Sequence, residues 1–300
     1  AASESQQAGA TCEHVVADGK TPAAAALQDC INSRCQEGPA SGSRAVYLPA
    51  GSYALDRTIT VNASSCGATT IRGDGKATQL LWQSDADLFV WAGGANAVTI
   101  ASLSIISTTT KSQNSTAVRF ESLTQSLIDS VFILATAAGS SVFGSGFDLG
   151  ALTDSVTIRE TQMWGVTGVG ITVGHGSQVI IKGGRIIGNN PFQPGKRATS
   201  TGIHVTGNNG GVHIAQTDVI AHLEALRLDN SRGAGSNREI FLAHPTFDSS
   251  WRGIAIYDNS YVDVSGLWAA SSEDANVFVD PKASPLLSIA GGTIFNACAE

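Results

Sequence analysis

The densest set of reactive side chains lies in the segment EALRLD, which carries Glu224, Arg227 and Asp229. His204 in GIHV, Arg252 ahead of GIAI and Tyr257 just after it hold related places in segments of the same pattern. Together they could supply what β-elimination from a uronate sugar requires: a base, a cation to neutralise the sugar carboxylate, and an acid for the leaving oxygen. Arg227 and Arg252 are the candidate cations, and His204 and Tyr257 the candidate proton-transfer groups. The carboxylates offer a second chemistry, because two carboxyl groups about 5–10 Å apart can cleave glycosides by hydrolysis or transglycosylation. Glu224, Asp229, Asp218 and Asp148 are the candidates. Asp148 and Glu224 fall three repeats apart, about 14 Å at strand spacing, which is too far for such a pair.

These residues meet only if their segments stack, and the sequence predicts that they do. One strand type recurs as AVRF (117–120), GFDL (146–149), GITV (170–173), GIHV (202–205), ALRL (225–228), GIAI (253–256) and NVFV (276–279). A second strand follows each after a turn, as in VTIRETQMW from 156, VIIKGGRII from 179, VHIAQTDVI from 212 and EIFLAHPTF from 239. Period-two alternation buries one face of each strand, and no unit is long enough to bury that face alone. Repetition of strands without intervening helices predicts an all-β solenoid of about eight coils.

The variable residue between two buried ones then points outward, giving the ladder Arg119, Asp148, Thr172, His204, Arg227, Ala255, Phe278. A second ladder reads Gln162, Arg185, Asp218, Thr246, with His222 near its edge. Asp218 and His222 are a backup site that could share a groove with Glu224. The segments 189–200 and 230–238 are long for such a solenoid and are expected to wall the binding face. Arg119, Lys196, Arg197, Asp218, His222, Tyr257 and Trp251 are therefore the expected substrate contacts, with aromatic rings stacking on sugars.

Composition narrows the classes further. Charged residues make up 14% against 33 glycines in 300 residues, which favours short strands and tight turns over charged helices. A net charge of −7 argues against a general nucleic-acid binder. No apolar run is long enough to span a membrane. The start at Ala1 without Met fits removal of a signal peptide or tag. Four cysteines, Cys12, Cys30, Cys35 and Cys66, crowd the first 66 residues; two disulfides there, in any of three connectivities, would suit a secreted protein. Cys298 lies beyond their reach, and with Phe278 it favours self-association as a dimer or trimer. Residues 22–34 read as a helix with Thr21 as N-cap, suited to plug the open solenoid end.

The runs ADGKTPAAAALQDCIN (17–32), AVYLPAGSYALDRTITV (45–61) and TTIRGDGKATQLLW (69–82) resemble the N-terminal signature of the pectate-lyase-like β-helix superfamily. That superfamily includes polysaccharide lyases, polygalacturonases, fructotransferases and phage tailspikes. The resemblance implies a secreted right-handed parallel β-helix, residues 1–300 as one domain with a cap (1–44) and coils (45–298), and a polysaccharide as partner. Polygalacturonase motifs are missing: GHG occurs at 174–176, but His175 reads as a turn residue and no RIK strand follows. The acids do not cluster as in calcium-dependent lyases, so no cofactor is expected; calcium stays open but has no support in the sequence. A lyase on a uronate glycan is the leading expectation. A hydrolase or fructan-type transglycosidase, and a non-catalytic tailspike-like glycan binder, are the alternatives.

Overall fold

The computed structural model describes residues 10–12, 14–36, 44–108, 115–135, 143–189, 197–207, 209–232 and 239–295. Lys196 and Cys298, and most of the two long loops, lie outside the described residues. The chain winds as a right-handed parallel β-helix, each strand pairing parallel with the strand of the neighbouring coil, and those within a ladder with one on either side. This is the hand expected when a twisted strand crosses over to a parallel neighbour.

Each coil has three strands rather than the two the repeat suggests. The coil that carries His204 comprises Thr201–Thr206, Asn209–Ala215 and Asp218–Ile220; the next comprises Glu224–Asp229, Ile240–Ala243 and Thr246–Asp248. The extra strand is the tail of the predicted second strand, cut off by a corner. At that corner each of these coils has a residue in the left-handed conformation at the same register: Ser102, Ser130, Glu160, Gly183, Gln216, His244, Gly266 and Gly291, with φ between 51° and 68°. Strand register places them in one stack. Left-handed backbone is costly for residues other than glycine, so a stacked corner that accepts Gln216 and His244 is held by the pairing on both sides.

The ladder containing Glu224 runs from Ile59–Asn62 through nine strands to Ala275–Val279 among the described residues, one more than the eight coils expected. Inside it, Phe147, Ile171, Ile203, Leu226, Ile254 and Val277 stack coil upon coil, all buried or nearly so. Burying one such side chain contributes about 2 kcal/mol, and the solenoid repeats that contribution at every coil.

The cap is a helix at Ala24–Gln36 whose Ala24, Leu27, Ile31 and Cys35 face inward. Two disulfides, Cys12–Cys30 and Cys35–Cys66, tie it to the first coils. Thr21, the expected N-cap, lies in the strand Asp18–Pro22, where its amide and hydroxyl donate to Asp18. No helix among the described residues is long and apolar enough to cross a membrane. The strand Leu286–Phe295 is the last one described, and Leu286, Ile294 and Phe295 are exposed on it.

His222, expected on the binding face, is in the interior instead. It is fully buried, with Nδ1 2.9 Å from the Ser200 hydroxyl and Nε2 3.3 Å from the Ile186 carbonyl. The corner at Ala221 (φ 66°) turns the next residue inward, so a residue that reads as an edge becomes core. Burial pushes its pKa down to about 4.

The native state takes up a proton at His222 only near pH 4, whereas the unfolded chain does so near pH 6.5. Stability from this residue is therefore complete above pH 6.5 and is lost as pH falls to about 4, by about 3 kcal/mol. Denaturant melts of wild type and His222→Gln across that range should show the slope only in wild type; an equal slope in both assigns it elsewhere. At the corner, Gly184 has φ 78° and an added Cβ would strike the Thr161 backbone of the coil below. Gly184→Ala should lose more than about 2 kcal/mol in the same melts, and Gln216→Gly less than about 1 kcal/mol in either direction.

Candidate functional site

The ladder forms in the register predicted, although Thr172 and Ala255 within it are buried. Arg119 pairs with Asp148, Asp148 with Thr172, Thr172 with His204, His204 with Arg227, Arg227 with Ala255 and Ala255 with Phe278. Glu224 lies beside Arg252 in the following coil. Stacking thus turns residues spaced along 75 positions into one patch across four coils.

Side-chain geometry draws six of the expected residues together. The Arg227 guanidinium donates through Nε to Asp229 at 2.6 Å and through Nη1 to Glu224 at 3.1 Å. Asp229 also faces His204 Nε2 at 2.8 Å and accepts from the Ser231 amide at 3.0 Å. Glu224 accepts a short hydrogen bond from the Tyr257 hydroxyl. That hydroxyl in turn accepts from Arg252 Nη1 at 2.8 Å. Both acids are nearly closed to solvent, with side-chain exposure of 3% for Glu224 and 8% for Asp229, while Arg227 keeps 35%. Arg227 also lies 4.6 Å from the centre of the Tyr257 ring. His204 and Tyr257 belong to coils on either side of Glu224–Asp229, and both lean onto that coil.

The electrostatics follow from these contacts. Burial alone would raise the Asp229 pKa, but hydrogen bonds from His204, Arg227 and the Ser231 amide outweigh it and hold the carboxyl far below the usual carboxylate range. Burial and the hydrogen bond to Glu224 raise the Tyr257 phenol, which keeps its proton. Burial opposes the charge on Arg227, yet its bond to Asp229 and the charge of Glu224 more than compensate. With Asp229 on Nε2, the His204 ring presents Nδ1 as its other nitrogen; in the neutral tautomer protonated at Nε2 that atom is a base.

Two partners were not foreseen. Asp274 binds Arg252 Nε at 2.7 Å, and the Phe278 ring lies 3.4 Å beneath the same guanidinium. Phe278 is therefore half-buried rather than exposed. Its position two coils beyond Arg227 in the ladder was the available signal; Asp274 sits in a turn with no pattern to mark it. The cluster holds three carboxylates against two guanidiniums, so Arg227 and Arg252 are already neutralised within the protein.

Other expected residues fall elsewhere. Asp148 is bound by Arg232 Nη1 at 2.8 and 2.9 Å, because the turn after Asp229 folds back across the preceding coils. Arg119 pairs with Asp87 at 2.9 Å. Asp218 pairs with Arg185 at 3.0 Å on the third strand of its coil, so it shares no groove with Glu224. Arg197 stacks on Trp251 at 3.5 Å. His175 opens the strand His175–Lys182 rather than sitting in a turn. Among the described residues, no group of three His, Cys, Asp or Glu could hold a metal ion.

No protein-family model matches the chain, and no curated protein sequence does. Solved structures do share its fold. The pre-mature bacteriophage phi29 gene product 12 matches with a TM-score of 0.66 at 12% identity, over 95% of this chain and 46% of that one. Tailspike protein 2 of bacteriophage CBA120, in its enzymatically active domain, matches with 0.62 at 12% identity, over 95% and 43%. The A-module of Azotobacter vinelandii mannuronan C-5 epimerase AlgE4 matches with 0.50 at 11% identity, over 96% and 97%. The chain thus spans less than half of those two phage proteins and nearly all of the epimerase module. At identities this low the superpositions show a common fold alone.

The cluster predicts an asymmetry in stability. Arg227→Ala strands two buried carboxylates and should cost about 3 kcal/mol in a denaturant melt. Arg119→Ala breaks a pair whose arginine is half exposed and should cost less than about 1 kcal/mol. Equal small losses would show that the cluster is open to water.

Proposed function

We propose that this chain, which has the pectate-lyase-like right-handed β-helix fold, is a secreted enzyme that cleaves an extracellular uronate-containing polysaccharide by β-elimination. The observation that carries the reading is the oriented His204–Asp229 pair, set beside Arg227 and Tyr257 on one outward face. In this reading His204 Nδ1 takes the proton next to the sugar carboxylate. Tyr257, which keeps its proton, serves the leaving oxygen. Asp229 orients the imidazole and balances the charge that forms on it, and Glu224 positions Tyr257 and Arg227.

The same contacts weigh against a carboxylate-pair hydrolase, because the Arg227 guanidinium bridges Glu224 and Asp229 and ties both carboxyls to the protein. The fold neighbours support a carbohydrate substrate: one is named a tailspike with an enzymatically active domain and another acts, by its name, on a mannuronan. The two disulfides suit an oxidising, extracellular setting. A second reading, glycan binding without turnover, is favoured by one feature: the cluster's guanidiniums and carboxylates already have partners within the protein.

Incubation with pectate, alginate, glucuronan and glycosaminoglycans, followed by absorbance near 235 nm, separates the readings. An unsaturated product that His204→Asn lowers at least about 100-fold and Tyr257→Phe at least about 10-fold supports elimination. Reducing ends without unsaturation point to hydrolysis. Binding without any product supports the second reading.

A further inference from the structure

The cations of the cluster are committed to its own acids, which leaves open what would hold an anionic sugar. Arg119, Arg159, Arg185, Arg227, Arg232 and Arg252 each have a carboxylate within 3.7 Å. Arg197 differs. It is exposed, its guanidinium lies 3.5 Å over the Trp251 ring, and no described carboxylate is within ion-pair distance. The stretch from Gly188 to Ser200 contains Lys196 and Arg197 and not one Asp or Glu, in a chain whose net charge is −7.

The stack also fixes where Arg197 sits. Leu223 donates to the Ser200 carbonyl and Trp251 to the His222 carbonyl, so Arg197 crosses the coil that carries Glu224 to reach the coil after it. It therefore borders the face where the strands Thr201–Thr206, Glu224–Asp229 and Arg252–Ile256 begin. The turn at Ser231 and Arg232 borders the opposite edge, where those strands end. Stacking engages the flat face of a guanidinium and leaves its edge N–H groups free. Those donors form a planar fork, the geometry that a carboxylate fills with two hydrogen bonds.

From this we infer that Arg197, held on Trp251, is the specificity-determining residue that binds the carboxylate of a uronate unit flanking the cleavage point. The inference rests on the glycan reading above, but it concerns recognition and not the proton transfers. A sugar bound there lies at the strand-start edge of the face, one side of it meeting the Arg197 fork.

Affinity electrophoresis tests it, with each polyuronate or its carboxyl-reduced counterpart cast in the gel and mobility corrected against a plain gel. Wild type should be retarded by at least one polyuronate. Arg197→Ala should weaken that retardation about tenfold, the loss expected for a charge-assisted pair. Arg197→Lys should recover only part, because an ammonium lacks the fork. Arg57→Ala, which removes the same charge from an exposed arginine elsewhere, should match wild type. The carboxyl-reduced polymers should not distinguish wild type from Arg197→Ala.

Equal retardation of wild type and Arg197→Ala by polyuronates overturns the inference, as does a wild type that no polyuronate retards. Retardation only by a sulfated neutral polymer overturns the carboxylate assignment. Arg197-dependent binding without any cleavage leaves the inference standing and removes the lyase. Elimination that Arg197→Ala leaves unchanged in both KM and kcat removes the inference and leaves the lyase standing.

Discussion

Each coil has to turn at the same point as the coil beneath it, because a parallel pair that slips by one residue moves every buried side chain to the outside. The stacked left-handed corner from Ser102 to Gly291 is how the chain meets that requirement. Wherever the corner is glycine the bend costs little; at Gln216 and His244 it is carried by the strands on either side. The interior ladder of Leu226, Ile203 and Ile254 and the exterior ladder of His204, Arg227 and Phe278 are two consequences of this one register.

The same register makes the charged cluster affordable. An isolated carboxylate taken out of water is costly, and breaking one side of a buried pair costs several kcal/mol. Glu224 and Asp229 avoid that position because strand geometry places Arg227 between them and the next coil supplies Arg252 and Tyr257. With His204 from the preceding coil, six such groups from three separate segments meet at this one place. The result is a patch in which both arginines are paired, His204 is oriented by Asp229, and a free cation for a ligand must come from a loop.

That division separates framework from recognition. Strand positions set the cluster and cannot vary without disturbing both neighbouring coils. The loop position at Arg197 is bound only by its contact with the Trp251 ring among the described residues. Solenoids of this kind share the coil and differ in what their loops lay across it, which agrees with a common fold at 11–12% identity.

Alternation and repetition in the sequence were enough to determine the solenoid and the register of the ladder, since period-two burial is a local property of each strand, and helix propensity marked the cap. The meeting of Glu224, Arg227, Asp229, His204, Arg252 and Tyr257 was legible for the same reason. The third strand of each coil was not, because a left-handed turn at Glu160 or Gln216 leaves no mark in hydrophobic periodicity. His222 read as an edge residue and became core because the turn at Ala221 rotates it inward. The pairing of the cluster's arginines, with Asp274 on Arg252 and Arg232 drawn back to Asp148, was decided only in three dimensions. Ion pairing depends on where long side chains end, and that is set by the neighbouring coils rather than by the strand that bears them.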